Sequence, residues 1–149
     1  MKKQKGFTLI ELLLVLAIIG IISAIAIPAL LGQRERAKAK AVQANVDAVA
    51  AECVRINDTA KEAGSVLAAT TIVGTVLNMP NYSAVNAKNP YSGGTAAYAS
   101  AGSATGQVVM LGTSVTDAAT GNSYSGVQIS GYYLVGGTLT SLQKIVAMD

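Results

Sequence analysis

Residues 5–31 read KGFTLIELLLVLAIIGIISAIAIPALL, and this stretch decides how the rest of the chain must be organised. From Phe7 to Leu31 there are 25 residues, and only Thr8, Glu11 and Ser23 interrupt their apolar or small character. As a helix rising ~1.5 Å per residue, this run is about 37 Å long, enough to cross a ~30 Å hydrocarbon core. It is apolar on every face, so it needs burial on every face, in lipid or among other helices.

One residue breaks the rule. Glu11 is the only ionisable side chain between Lys5 and Arg34. A carboxylate at the middle of a membrane costs about 2.5–3.5 kcal/mol on insertion scales, so an ionisable group inside such a run points to function. It calls for a partner. Cleavage just before Phe7 would create an α-amino group four residues away, about one helical turn, on the same chain or on a neighbouring copy. Two opposite charges at ~4 Å attract by about 4 kcal/mol at an effective dielectric of 20. Much of that offsets desolvation, so such a pair sets register more than affinity.

Outward from this run the chain reads as four segments. Residues 1–6, MKKQKG, are a short basic leader; 7–31 are the hydrophobic helix; 32–63 are an amphipathic continuation of the same helix; 64–149 are a β-rich head. In the continuation, Val42, Val46, Val49, Cys53, Ile56 and Ala60 follow a 4-3-4-3-4 spacing, which lines one helix face. Gly64 is the expected stop. Residues 7–63 as one helix would span about 85 Å.

The head is rich in Gly, Ser, Thr and Asn. It holds four charges in 86 residues, Lys88, Asp117, Lys144 and Asp149. A helical or apolar segment is expected at Val66–Leu77. Strands are expected at Gln107–Thr113, Ser125–Val135 and Thr138–Ala147, with turns at Gly121-Asn122 and Gly136-Gly137. Strands joined by short turns give an antiparallel meander, which the amphipathic helix would cover. The fold class expected is α+β, a long N-terminal helix packed on a small antiparallel sheet.

Composition narrows the function. Hydrophobic residues make up 51% of the chain and charged residues 13%. The formal net charge is +3, and Lys2, Lys3 and Lys5 account for all of it: without them Lys+Arg falls from 11 to 8 and equals the 8 Asp+Glu. The basic character belongs to the leader, and no nucleic-acid surface is indicated. The chain has no His and a single cysteine, Cys53, so no internal disulfide, no His-dependent triad and no usual zinc set can form. No base is paired with the Ser, Thr or Tyr hydroxyls; no catalytic residue, metal ligand or cofactor site is expected. Phe7 is the only aromatic before Tyr82, which does not suit electron conduction along a helical core.

The segment KGFTLIELLLVLAIIGIISAIAIP resembles the class III signal and N-terminal helix of type IV pilins and pseudopilins. The likeness is close over residues 5–31 and loose beyond. It implies leader cleavage between Gly6 and Phe7 by a prepilin peptidase, which also methylates the Phe7 amine, and an assembly role for Glu11. It implies helix-weakening positions at Gly20 and Pro28; physically, Pro28 lacks an N–H and clashes with the preceding turn. A kinked or melted segment over residues 20–28 would let a filament stretch.

The implied partners are further copies of the chain in a helical filament, an assembly platform and a motor ATPase. The implied locations are the inner membrane for the precursor and an extracellular pilus, or a periplasmic pseudopilus, for the product. The C-terminal cysteine pair of many pilins is absent. Asn89-Pro90-Tyr91-Ser92-Gly93-Gly94 faintly resembles a turn of some short pilins and major pseudopilins. Calcium loops in the latter are built from acidic residues, and the head has only Asp117 and Asp149.

Besides the pseudopilin of a type II secretion system, two other readings stand. An ordinary secreted protein would be cut after Ala24-Ile25-Ala26 and begin at Ile27. A single-pass anchor would carry a small external binding domain, with Arg34, Arg36, Lys38 and Lys40 flanking the far end of the span.

Overall fold

A computed structural model describes residues 6–83, 87–116 and 119–148, with the Val115 side chain left aside. The leader residues Lys2, Lys3 and Lys5, and Asp117 and Asp149, lie outside the described residues. Helix α1 spans Leu9–Glu62 and α2 spans Ala69–Asn78. The strands are β1 (Tyr98–Ala99), β2 (Val108–Thr116), β3 (Ser123–Val135) and β4 (Thr138–Met148). The chain divides into two units at Glu35 and Arg36, inside α1.

In the first unit α1 is apolar on every side from Leu12 to Leu31, and no other described element of that unit covers it. Its membrane-length window is 0% buried. Leu9, Ile10, Leu12 to Leu14, Ile21, Ile22 and Ile25 are all exposed.

In the second unit α1 is amphipathic, as its spacing requires. Val42, Val46, Val49, Cys53 and Ile56 are buried, Ala60 half-buried, and Ala50 and Asn57 join the same stripe. The helix ends at Gly64, whose φ of 73° only glycine adopts without strain. Ser65 N–H donates to the Ala60 carbonyl at 2.8 Å and Gly64 N–H to the Lys61 carbonyl at 2.9 Å. This paired arrangement satisfies carbonyls that the helix would otherwise leave open.

The sheet order is β1-β2-β3-β4. β2, β3 and β4 form the expected antiparallel meander, without a bulge in the β3–β4 register from Val135↔Thr138 to Ser125↔Met148. Gly136 and Gly137, with φ of 57° and 81°, form the two-residue turn that strand twist favours. One further strand extends this meander at its edge. β1 lies parallel to β2, with Tyr98 opposite Val108, so the sheet is mixed. The chain crosses back from Ala99 to Val108 instead of reversing in a hairpin, and a two-residue strand leaves too little pattern for sequence to reveal. The expected segment Val66–Leu77 forms α2 from Ala69 onward.

The core is aliphatic and continuous. Val108, Met110, Val127 and Ile129 of the sheet share one cluster with the α1 stripe and with Ile72, Val73 and Val76 of α2. α1 packs directly over Gly131. A Cβ there would lie 2.6 Å from Val46 Cγ2 and 3.0 Å from Val42 Cγ1.

Gly131→Ala is therefore expected to lower stability by about 1–3 kcal/mol, the usual range for overpacking. Gly93→Ala, where a Cβ meets open space, is the control. Urea unfolding of the two variants in the same detergent should separate them.

Candidate functional site

The candidate site is the start of α1. Gly6, Phe7 and Thr8 precede the helix, and all are exposed, Phe7 at 87%. A peptide bond between Gly6 and Phe7 that lies outside the helix and is exposed is one a peptidase can reach. Thr8 is the last residue before the helix, and Glu11 lies in its first turn.

These two residues bind each other reciprocally. The Thr8 backbone N–H donates to Glu11 Oε2 at 2.9 Å, and the Thr8 hydroxyl donates to the same oxygen at 2.7 Å. The Glu11 backbone N–H in turn approaches Thr8 Oγ1 at 3.4 Å. This is a capping box, in which the first and third positions of a helix start satisfy each other's free groups. The negative carboxylate also sits at the positive end of the helix dipole. Glu11 thus has a hydrogen-bond partner within its own helical turn, besides the Phe7 amine that cleavage would create. Thr8 is the residue that sequence reasoning missed. The Thr-x-x-Glu signature ahead of an apolar run was there to be read.

Gly20 and Pro28 do not break the helix. α1 passes through both. Pro28 cannot donate to the Ala24 carbonyl, and its ring crowds that same turn. No Cβ contact constrains Gly20, which lies in open space.

Elsewhere nothing gathers acid, base and nucleophile. Among the described residues there is no group of three or more His, Cys, Asp or Glu. An open groove of about 430 Å³ is lined by Ala69, Thr70, Gly112, Ser123, Tyr124 and Ser125, hydroxyls without a base. Cys53 is fully buried in the core, and burial, followed by the Glu52 charge, pushes its thiol up to about 11. It stays a neutral thiol at physiological pH.

One loop is locked by a buried side chain. Asn89 donates from Nδ2 to the Thr105 carbonyl at 2.8 Å and accepts at Oδ1 from the N–H groups of Tyr91 (2.8 Å) and Ser92 (3.2 Å). Gly106, at φ 83°, packs on it so closely that a Cβ would clash. The Asn89-Pro90-Tyr91 turn closes this loop against the sheet, and the Tyr91 hydroxyl accepts from the Leu134 N–H at 3.2 Å.

The comparisons with known proteins fall on the helix start. Residues 1–27 match the family model described as the prokaryotic N-terminal methylation motif. The N-terminal segment is similar to that of type IV pilus and fimbrial proteins. It is similar to the type IV wide pilus major component PilA4 of Thermus thermophilus, 57% identical over 44 residues, 30% of this chain and 34% of that protein. A fimbrial protein of Pseudomonas aeruginosa is 79% identical over 28 residues, 19% of this chain and 18% of its own. The type II secretion system core protein G of Escherichia coli is 49% identical over 41 residues, 27% of this chain and 28% of its own. The chain thus spans about a third or less of the length of the curated relatives it matches. No solved structure matches. The α+β architecture, with the second part of a long helix packed on a small sheet, is consistent with a pilin-like fold.

Two outcomes follow for this pilin-type segment. Thr8→Val, which removes the hydroxyl from both sides of the box, should loosen the first turn of α1 by about 0.5–2 kcal/mol, and Thr8→Ser should not. Amide exchange over residues 9–12 in detergent reads the difference. Cys53 should resist alkylation in the folded chain. Because its thiolate is disfavoured only in the fold, stability should fall as pH rises from about 9 toward 11, where the unfolded thiol has already ionised.

Proposed function

We propose that the chain is a structural subunit of a type IV pilus-like filament, assembled through its hydrophobic N-terminal helix. The observation that carries this reading is the first unit itself: a membrane-length apolar helix uncovered on every face, with one carboxylate at its start. Such a surface is satisfied by lipid before assembly and by the helices of other copies afterwards. The similarity of the segment to pilus subunits supports the second half of that statement.

The sequence of events is the one that the resemblance to type IV pilins implies. The precursor rests in the inner membrane. A prepilin peptidase cuts between Gly6 and Phe7 and methylates the new Phe7 amine. That amine is a cation created at the helix start, next to a fixed anion. Thr8 holds the Glu11 carboxylate until the Phe7 amine of an adjacent copy takes its place, so the ion pair forms only on polymerisation. An assembly platform and a motor ATPase would supply the work of lifting subunits out of the bilayer. The product stands outside the cell. No cofactor, metal or nucleic acid takes part, and the chain acts by stacking, not by catalysis.

A second reading, a pseudopilin of a type II secretion system with a periplasmic product, is favoured by the similarity to core protein G. Both readings use the same helix chemistry and differ in where the fibre ends.

Glu11→Val should leave processing intact and reduce filament yield at least about tenfold, the equivalent of one 1.4 kcal/mol interaction per subunit. Electron microscopy of sheared surface fractions counts the filaments, and mass spectrometry of the mature chain should find it beginning at a methylated Phe7. Normal filaments from the variant, or a mature chain beginning at Ile27, would overturn the proposal.

A further inference from the structure

β4 is an edge strand without the usual protection. Edge strands in soluble domains are shortened, bulged, or guarded by charge or proline, because their free N–H and C=O groups template pairing with another chain. β4 runs 11 residues, Thr138–Met148, with no proline and no bulge. Its one charged side chain, Lys144, is turned to α1, where Nζ meets Asp47 Oδ1 at 2.8 Å.

The hydrogen-bond phase of the sheet tells which groups are free. Val108 N–H donates to the Ala97 carbonyl at 2.7 Å, so residue 108 faces β1 and residue 109 faces β3. Val109 lies opposite Ser130, so even-numbered residues of β3 face β2, as the bond from Tyr132 N–H to the Gln107 carbonyl confirms. Odd-numbered residues of β3 then face β4. Ile129 lies opposite Lys144, so even-numbered residues of β4 bond to β3. Leu139, Ser141, Gln143, Ile145 and Ala147 present their N–H and C=O groups to the open side. Among the described residues none of these groups bonds to another element.

We propose that this edge pairs with β4 of a second copy of the chain, antiparallel and centred on Gln143, fusing two four-stranded sheets into one. The residue series is self-complementary about that centre: Leu139 meets Ala147, Ser141 meets Ile145, and Gln143 meets Gln143. Every outward group finds a partner. None of the five side chains is charged, so a like strand approaches without like-charge repulsion. The opposite edge, β1, is two residues long and cannot supply a matching partner. A two-fold axis normal to the sheet keeps the α1 layers of both copies on one side.

The contact joins identical surfaces, whereas a filament repeat joins two different ones. It therefore cannot elongate a filament. On the proposed filament reading, it ties subunits of two antiparallel filaments side by side, and repetition along their length multiplies a contact that is small for one pair.

Gln143→Cys tests the register in the full-length chain. Paired residues of this kind have Cα atoms about 5.5 Å apart, inside the disulfide range of 4.4–6.8 Å. Ser141 of one copy lies four residues from Ser141 of the other, roughly 13 Å along the strand. With diamide as oxidant on the detergent-solubilised chain, Gln143→Cys should give a disulfide-linked dimer at least about ten times more abundant than Ser141→Cys gives, following that distance difference. Ser141→Cys/Ile145→Cys should restore it. The unaltered chain, with only Cys53, is the background. Equal cross-linking at 141 and 143, no dimer from Gln143→Cys, or cross-linking of Gln143→Cys to a different protein would overturn the pairing. The assay needs no filament, so its failure leaves the assembly reading standing. Absence of filaments from cells would overturn assembly and leave the pairing standing.

Discussion

From Leu9 to Leu31, α1 has no side on which water is an acceptable neighbour, and no other element of its own unit shields it. At about 25 cal/mol per Å² of apolar surface, a helix exposing more than a dozen large aliphatic side chains is a strong drive toward some other cover. The head does not share this problem. Its α1 stripe is closed by α2 and the sheet into an aliphatic core. One helix thus obeys two solvents in turn. The division falls at the charged run Gln33-Arg34-Glu35-Arg36, where the apolar pattern changes from all-round to one-sided.

On the proposed assembly, Glu11 is the point at which an otherwise indiscriminate apolar surface acquires a register. Greasy helices slide against each other at little cost, because each offset buries similar area. A carboxylate held at the first turn by Thr8 restores a preference. It cannot lie deep among aliphatic side chains without exchanging these hydrogen bonds for others at least as good. The capping box keeps the acid satisfied while the chain is alone, which lets a carboxylate persist beside a membrane-length segment.

Much of this was legible in the sequence because it depends on periodicity. The apolar run, the 4-3-4-3-4 stripe ending at Gly64, the three long strands and the Gly136-Gly137 turn all follow from spacing and backbone chemistry. What was not legible depends on closure in three dimensions. β1 is too short to carry a pattern, and its parallel pairing arises from a loop crossing back over residues 100–107. Asn57 and Ala50 were missed in the α1 stripe because burial is wider than the narrow seam that spacing picks out. At the site, Gly6, Phe7 and Glu11 stood out by type and position. Thr8 did not, because Glu11 was read as a charge seeking a charge, not as half of a reciprocal cap. Pro28 marks a weakened position by its chemistry, and in the single chain α1 runs through it as helix.

The Asn89 lock has a consequence for ageing. An asparagine side chain is usually lost when the next residue's backbone nitrogen attacks its amide to form a five-membered imide. Here that nitrogen belongs to Pro90, which is tertiary and has no proton to give up. The three hydrogen bonds that hold the loop at Thr105, Tyr91 and Ser92 therefore rest on a side chain sealed against spontaneous deamidation. The turn thus keeps its lock without any need of repair at that side chain.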